Sequence, residues 1–90
     1  MSRKIYSEKT VAKYLREAVG DAGGLIFKMH PITNIGIPDY IIHYDGQTFY
    51  VETKTTGEVC TDAQRYFHKL LKSRGIETYV LDVQIGRAHV

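Results

Sequence analysis

Apolar residues recur with helical spacing in two stretches of the chain. In the first, they recur at spacings of three and four residues from the N-cap candidate Ser7 to about Asp21. In the second, Thr61 and Gln64 have the spacing of a capping box, and Gly75 ends the helix. The expected apolar faces consist of Val11, Ala12, Leu15, Ala18, Val19 and Ala22 in the first helix, and of Ala63, Tyr66, Phe67, Leu70 and Leu71 in the second.

Short apolar stretches outside the helices predict strands. Two of them are separated by Asp45-Gly46, a strong signal for a two-residue hairpin turn. The last residues, Gln84–Val90, are expected to form a loose tail. The predicted strands are residues 25–29, 39–44, 47–54 and 77–83. The resulting order, α-β-β-β-α-β, with a crossover through the second helix, predicts an α/β fold in which helices flank a mixed sheet.

The hairpin brings charged residues together. With a turn at Asp45-Gly46, the register places Asp39 directly opposite Glu52, with Cβ atoms about 4.5–5.5 Å apart. Lys54 lies two residues beyond Glu52 and therefore shares its face. Opposed like charges are unfavourable unless a cation lies between them, and two carboxylates with open positions suit Mg²⁺. A lysine beside the metal can orient water and stabilise negative charge. The alternative is a solvated strand end with a surface Glu–Lys pair.

The first helix offers one further acid. Glu8 is in phase with Val11 and Leu15 on the face that packs inward, whereas Glu17 points to solvent. A carboxylate in phase with buried residues needs a partner such as a cation. Alternatively, Glu8 only interacts favourably with the dipole at the helix N-terminus.

Basic residues form a stripe on each helix, and either stripe could follow a phosphate backbone. The alternative for each is a solvated helix face. The histidines lack ligand spacing, and only His43 shares the Asp39 face. The candidate DNA contacts are Lys9, Lys13 and Arg16 on the first helix, Lys28 after it, and Arg65, Lys69 and Lys72 on the second helix.

Composition limits the alternatives. The 90 residues carry a formal net charge of +2 and one cysteine, Cys60, so neither an intrachain disulfide nor a cysteine-rich zinc site is expected. No stretch is apolar enough for a signal peptide or a membrane span. We therefore expect one domain, residues 1–90, in the reducing cytoplasm. So small a core favours a partner subunit.

Taken together, these residues resemble a stand-alone VRR-NUC (virus-type replication-repair nuclease) domain of the PD-(D/E)xK nuclease superfamily. The matching segments cover nearly the whole chain. They are "SEKTVAKYL", "GG", Lys28, "GIPD", "YVETKTTGEV", "TDAQRYFHKLLKSRG" and "TYVLDV". The resemblance implies the restriction-endonuclease-like core of that superfamily.

The resemblance also implies roles for individual residues. Asp39 and Glu52 would bind Mg²⁺ or Mn²⁺, together with the Thr53 carbonyl and with Glu8 from the first helix. Lys54 would act on the attacking water. Gln64 would correspond to the glutamine near the family's active site, a role compatible with capping the second helix.

The activity implied is metal-dependent DNA endonuclease cleavage, leaving 5′-phosphate and 3′-hydroxyl ends. Small members of the family from phages act as homodimers on branched DNA such as four-way (Holliday) junctions, which implies a phage or prophage protein in a bacterial host. The main alternative is a catalytically inactive DNA-binding module of the same fold. A protein that does not bind nucleic acid, with incidental acids in its hairpin, is a second alternative.

Overall fold

The computed structural model describes residues 8–30, 36–54, 58–82 and 87–89. Within these ranges the chain forms two helices and five strands. The helices are α1 (Glu8–Asp21) and α2 (Asp62–Ser73), and the strands are β1 (Leu25–Lys28), β2 (Tyr40–Tyr44), β3 (Gln47–Lys54), β4 (Thr78–Asp82) and β5 (Arg87–His89). The predicted order α-β-β-β-α-β and the predicted fold class are confirmed. Ser7, the expected cap of α1, lies outside the described residues.

The predicted capping box at the start of α2 is present. The backbone N–H of Gln64 donates to Thr61 Oγ1 at 3.2 Å, and the N–H of Thr61 donates to Gln64 Oε1 at 2.9 Å. At the other end, Gly75 has a φ of +80° and takes the chain out of the helix, as glycine does after many helices. Both predicted ends of this helix are therefore confirmed.

The strands lie in the order β1-β2-β3-β4-β5 in one sheet. The pairs β1–β2, β2–β3 and β4–β5 are antiparallel, and β3–β4 is parallel because α2 carries the chain across the sheet. The β2–β3 turn uses Asp45 and Gly46 with φ of +51° and +73°, as expected for a two-residue hairpin turn. Tyr40 pairs with Val51, which confirms the predicted register.

The expectation of a loose C-terminal tail was wrong for three of its residues. Arg87–His89 forms β5, which pairs with β4 from Val80 to Asp82. A three-residue strand is too short to give an alternating pattern that sequence analysis could detect. It forms because the outer edge of β4 offers unpaired backbone groups for hydrogen bonding.

Each helix covers a different face of the sheet. α1 packs on the face that holds the core, and the buried members of this core are Val11, Ala12, Leu15, Tyr40, Ile42 and Val51. Successive side chains of a strand alternate between faces. Glu52 follows Val51 and therefore points to the opposite face, where α2 brings His68 beside it.

The apolar faces of the helices are narrower than predicted. Ala18 and Ala22 of the first helical stretch are exposed. On α2, Tyr66 and Leu70 are exposed, and its inner side is formed by half-buried residues that include His68. The sheet next to α2 is not covered completely, so residues at the margin of each helical stripe remain in contact with solvent. None of the described helices is long and apolar enough to cross a membrane.

Candidate active site

Two carboxyl groups meet where β2 begins and β3 ends. Continuing the observed register by one residue places Asp39 opposite Glu52, as the sequence predicts. The side chains interact through a hydrogen bond and through repulsion between their charges. Glu52 is 2% exposed, so its carboxyl group has almost no contact with bulk water.

The environment of Glu52 opposes ionisation. Burial, followed by the hydrogen bond with Asp39 and the negative charge of Asp39, raises the pKa of the Glu52 carboxyl from 4.5 to about 8. Its Oε1 atom is buried and has no hydrogen-bond partner among the described residues. A buried acid in this state needs either a proton or a cation.

Thr53 fixes the orientation of Asp39. Its backbone N–H and its hydroxyl group both donate to Asp39 Oδ2, each at 2.8 Å. Two hydrogen bonds to one oxygen leave the other carboxylate oxygen of Asp39 free of this contact. The resemblance implies a metal-binding role for the Thr53 carbonyl, and the N–H and hydroxyl of the same residue have a second role that the sequence did not predict, orienting Asp39.

The segment leading to Asp39 is held against α2. Gly36 has a φ of +94°, and a Cβ atom at this position would lie 2.6 Å from the carbonyl carbon and oxygen of Ala63. Pro38 is fully buried. The backbone N–H of Met29 donates to the carbonyl oxygen of Asp39 at 2.7 Å. These contacts place the carboxyl group of Asp39 before any ligand binds.

Lys54 follows on the face of Glu52 and is half-buried. Its positive charge lowers the pKa of Glu52, against the larger effect of burial, and also lowers the pKa of His68. The ammonium group is therefore close enough to influence both neighbours. The predicted juxtaposition of two acids and a lysine is present in the structure.

His68 is the site residue that sequence analysis missed. Its Nε2 atom lies 3.8 Å from Glu52 Oε1, and its side chain is 19% exposed. The available signal was helical phase, because His68 lies beside Phe67 on the inner side of α2, four residues after Gln64. His43, by contrast, is exposed near the hairpin turn, where Nδ1 lies 2.9 Å from Thr48 Oγ1. Four residues of strand, about 13 Å, separate it from Asp39.

The roles predicted for two further residues, Glu8 and Gln64, are not decided by the structure. Glu8 is the first residue of α1, but its side chain lies outside what the structure describes. Gln64 is half-buried, and its side-chain oxygen caps α2 as described above. The metal-binding role of Glu8 and the catalytic role of Gln64 stay predictions.

The basic stripe of α1 forms one wall of a groove. Its volume is about 640 Å³. Lys28, on the neighbouring strand, pairs with Tyr40, the residue after Asp39. Tyr40 belongs to the core on the α1 face, so this groove lies on the face of the sheet opposite to the one that Glu52 points to. The residues lining it are Lys9, Thr10, Ala12, Lys13, Arg16 and Lys28.

The basic stripe of α2 lies on the other side of the sheet and does not join this groove. Arg65 donates to the carboxylate of Asp62 and to the carbonyl oxygen of Cys60, so its guanidinium group is already engaged within the helix. Lys69 and Lys72 are exposed. The structure thus separates the seven predicted DNA contacts into two surfaces.

The acidic pair fits a divalent cation better than it fits an apolar core. Glu52 has a buried oxygen without a partner, and carboxylate oxygens are the ligands that Mg²⁺ and Mn²⁺ prefer. Within the described ranges, no group of three or more His, Cys, Asp and Glu residues is gathered tightly enough to hold a metal ion. Water, substrate oxygens or a residue outside these ranges would complete the coordination, as is common for Mg²⁺.

A search of solved structures finds a chain described as a VRR_NUC domain. The two superpose with a TM-score of 0.76, are 26% identical, and match over 87% of this chain and 86% of that chain. The chain has the VRR-NUC fold, and the resemblance found in its sequence is confirmed. A scan against models of protein families gives no match, and a search of curated proteins gives none either.

The VRR-NUC fold accounts for the placement of the charged residues. It supports a nuclease-type function and therefore hydrolase chemistry on nucleic acid. Asp39, Glu52 and Lys54 lie at one end of the β2–β3 hairpin in this fold. The two acids and the lysine therefore lie together in a fold that supports a nuclease-type function.

Proposed function

We propose that this VRR-NUC domain is a DNA endonuclease that requires Mg²⁺ or Mn²⁺ and hydrolyses phosphodiester bonds. The observation that carries the proposal is the buried Glu52 carboxyl, paired with Asp39 beside the Lys54 ammonium. A structural role alone does not favour two facing acids at a buried position, because each raises the cost of ionising the other.

Asp39 and Glu52 would hold the cation, with the Thr53 carbonyl and the Glu8 carboxylate as further donors. A bound divalent cation supplies charge neutralisation at the phosphate and lowers the pKa of a coordinated water. The hydrogen bonds from Thr53 to Asp39 keep one acid in place when DNA binds. Pre-organised donors of this kind reduce the reorganisation needed during reaction.

Lys54 acts on the reacting groups. Its ammonium group orients the attacking water and stabilises the negative charge that develops on the phosphate. The water oxygen forms the new bond to phosphorus as the bond from phosphorus to the 3′ oxygen breaks. The products carry a 5′-phosphate and a 3′-hydroxyl group.

The groove lined by Lys9, Lys13, Arg16 and Lys28 would bind the phosphate backbone of the DNA. We further propose that the enzyme is selective for branched DNA such as four-way junctions and acts as a homodimer. Leu25 and Phe27 support the homodimer, because both are exposed on β1 at the edge of the sheet. A symmetric pair would bring two equivalent sites to one junction.

The test is cleavage of labelled four-way junction, splayed-arm, flap and linear duplex DNA in Mg²⁺, in Mn²⁺ and in EDTA. We expect cleavage that depends on the metal, is strongest on branched substrates and is abolished by Asp39→Asn and by Lys54→Ala. Both variants should retain the fold and part of the DNA affinity, because neither residue belongs to the core.

The matched control is Arg74→Gln, which removes an exposed positive charge at the end of α2 and should leave cleavage intact. DNA binding without cleavage in either metal would contradict the nuclease and support the inactive DNA-binding module. Equal cleavage of all four substrates would contradict only the selectivity for branched DNA.

A further inference from the structure

Two buried polar atoms face each other where α2 contacts β3. His68 Nε2 lies 3.8 Å from Glu52 Oε1. Hydrogen bonds between nitrogen and oxygen are about 2.7–3.2 Å long, so these atoms do not bond directly. Neither atom has a hydrogen-bond partner among the described residues. Buried polar atoms in native proteins are almost always satisfied, so each of these atoms needs a partner, and one group between them would contact both.

The separation suits one metal ion. When an octahedral ion binds two ligands at about 2.1 Å each, adjacent ligands lie about 3 Å apart and opposite ligands about 4.2 Å apart. The observed 3.8 Å lies between these two separations. Glu52 contributes a carboxylate oxygen that is shielded from solvent, and α2 holds the imidazole ring on the opposite side of the same small space.

A neutral imidazole carries a free electron pair on one ring nitrogen, and this electron pair is what binds a metal ion. The Nε2 atom of His68 is the ring nitrogen that is buried beside Glu52.

We propose that His68 is a ligand, together with Glu52, of the divalent cation in this site. This inference rests on the proposed metal-dependent nuclease function, and it identifies a residue that affects which metal ion the site prefers. Imidazole nitrogen suits transition metals, whereas Mg²⁺ prefers oxygen ligands alone. His68 therefore shifts the preference of the site from Mg²⁺ towards Mn²⁺.

The experiment measures metal binding by the full chain without DNA. Isothermal titration of Mn²⁺ and of Mg²⁺ is compared for the wild type, His68→Gln, Glu52→Gln and the control His43→Gln. We expect His68→Gln to weaken Mn²⁺ binding by about tenfold or more while changing Mg²⁺ binding little. His43→Gln should change neither affinity, because His43 lies near the hairpin turn.

A second readout on the wild type needs no variant. Electron spin-echo envelope modulation of bound Mn²⁺ gives a nitrogen signal when an imidazole is directly coordinated. This nitrogen signal should be lost in His68→Gln. Absence of the nitrogen signal in the wild type overturns the proposal, as does an equal loss of Mn²⁺ and Mg²⁺ affinity in His68→Gln. If Glu52→Gln abolishes metal binding and His68→Gln has no effect, the inference fails and the nuclease proposal stands. If the wild type binds neither metal, the nuclease proposal fails as well.

Discussion

At the scale of the single residue, Glu52 dominates the energetics of the site. Its carboxyl is buried on a strand, faces another acid and has a pKa raised to about 8. Near neutral pH and without a cation, the proton is the group that compensates this burial. In the proposed site, a bound metal ion would displace that proton, so the same residue would link metal affinity, stability and pH.

The first prediction concerns the stability of the metal-free protein. The Glu52 carboxyl binds its proton more tightly in the folded state than in the unfolded state, where its pKa is near 4.5. The contribution of Glu52 to the free energy of unfolding should therefore be largest below pH 4.5. It should fall by up to about 1 kcal/mol per pH unit as the pH rises towards 8.

Thermal unfolding in EDTA across this pH range measures the effect. In Glu52→Gln most of the decline should disappear, whereas Glu17→Gln, which changes an exposed acid of α1, should follow the wild type. Adding Mn²⁺ at pH 8 should raise the wild-type melting temperature and leave that of Glu52→Gln nearly unchanged. An identical pH dependence in the wild type and Glu52→Gln would contradict the assignment.

At the scale of the elements, the first residues of α2 both cap the helix and pack against the segment that leads to Asp39. Thr61 caps the helix, Ala63 packs against the backbone of Gly36, and Gln64 completes the capping box. Gly36 lies three residues before Asp39, so the packing of α2 determines where this acid is placed. His68, one turn further along, then reaches Glu52.

The second prediction tests the Gly36 contact. Gly36→Ala combines a backbone conformation unfavourable for alanine with a clash at 2.6 Å against the Ala63 carbonyl. We expect it to lower the free energy of unfolding by about 1–3 kcal/mol and to reduce cleavage by displacing Asp39. The matched control is Gly20→Ala in α1, which has nothing within 4 Å and should stabilise the protein by about 0.5–1 kcal/mol. Chemical denaturation measures both, and wild-type stability in Gly36→Ala would contradict the account.

The third prediction separates the two roles of Gln64. Thr61→Ala and Gln64→Ala each disrupt the capping box and should each lower the free energy of unfolding by about 1 kcal/mol. If Gln64 also serves the active site, as the resemblance implies, only Gln64→Ala should lower cleavage strongly at a temperature where both variants are folded. Equal cleavage by the two variants would restrict Gln64 to capping.

The sequence was sufficient to predict the order of elements, the hairpin register and the Asp39–Glu52–Lys54 arrangement, because turn and capping signals are local. It was not sufficient for β5, which depends on the free edge of β4. It also missed His68, because a histidine on a helix becomes a site residue only through the strand it meets. The hydrogen bonds of Thr53 to Asp39 likewise depend on pairing between two strands.

At the scale of the whole molecule, positive charge is divided between the two faces of the sheet. The groove with Lys9, Lys13, Arg16 and Lys28 lies on the α1 side, whereas Lys69 and Lys72 are exposed on α2, the helix that Glu52 meets through His68. Basic side chains that line one groove can contact the same phosphate backbone together. We therefore expect the groove to contribute more to DNA binding than the exposed lysines of α2.

The fourth prediction follows from this division. Lys13→Gln should weaken binding of all DNA sequences about equally and reduce the slope of log affinity against log salt concentration by about 1. Lys69→Gln, the matched change on α2, should have a smaller effect. Fluorescence anisotropy at several salt concentrations, with Glu52→Gln as the inactive background, measures both. A larger effect of Lys69→Gln would place the main DNA contact on the α2 face.

The metal-dependent nuclease function is tested most directly by cleavage of a four-way junction in Mn²⁺ by the wild type, by Glu52→Gln and by Glu17→Gln. These substitutions remove one carboxylate each, the first buried in the site and the second exposed on α1. We expect cleavage by the wild type and by Glu17→Gln, none by Glu52→Gln, and none by any of them in EDTA. Cleavage by folded Glu52→Gln at the wild-type rate would contradict this expectation.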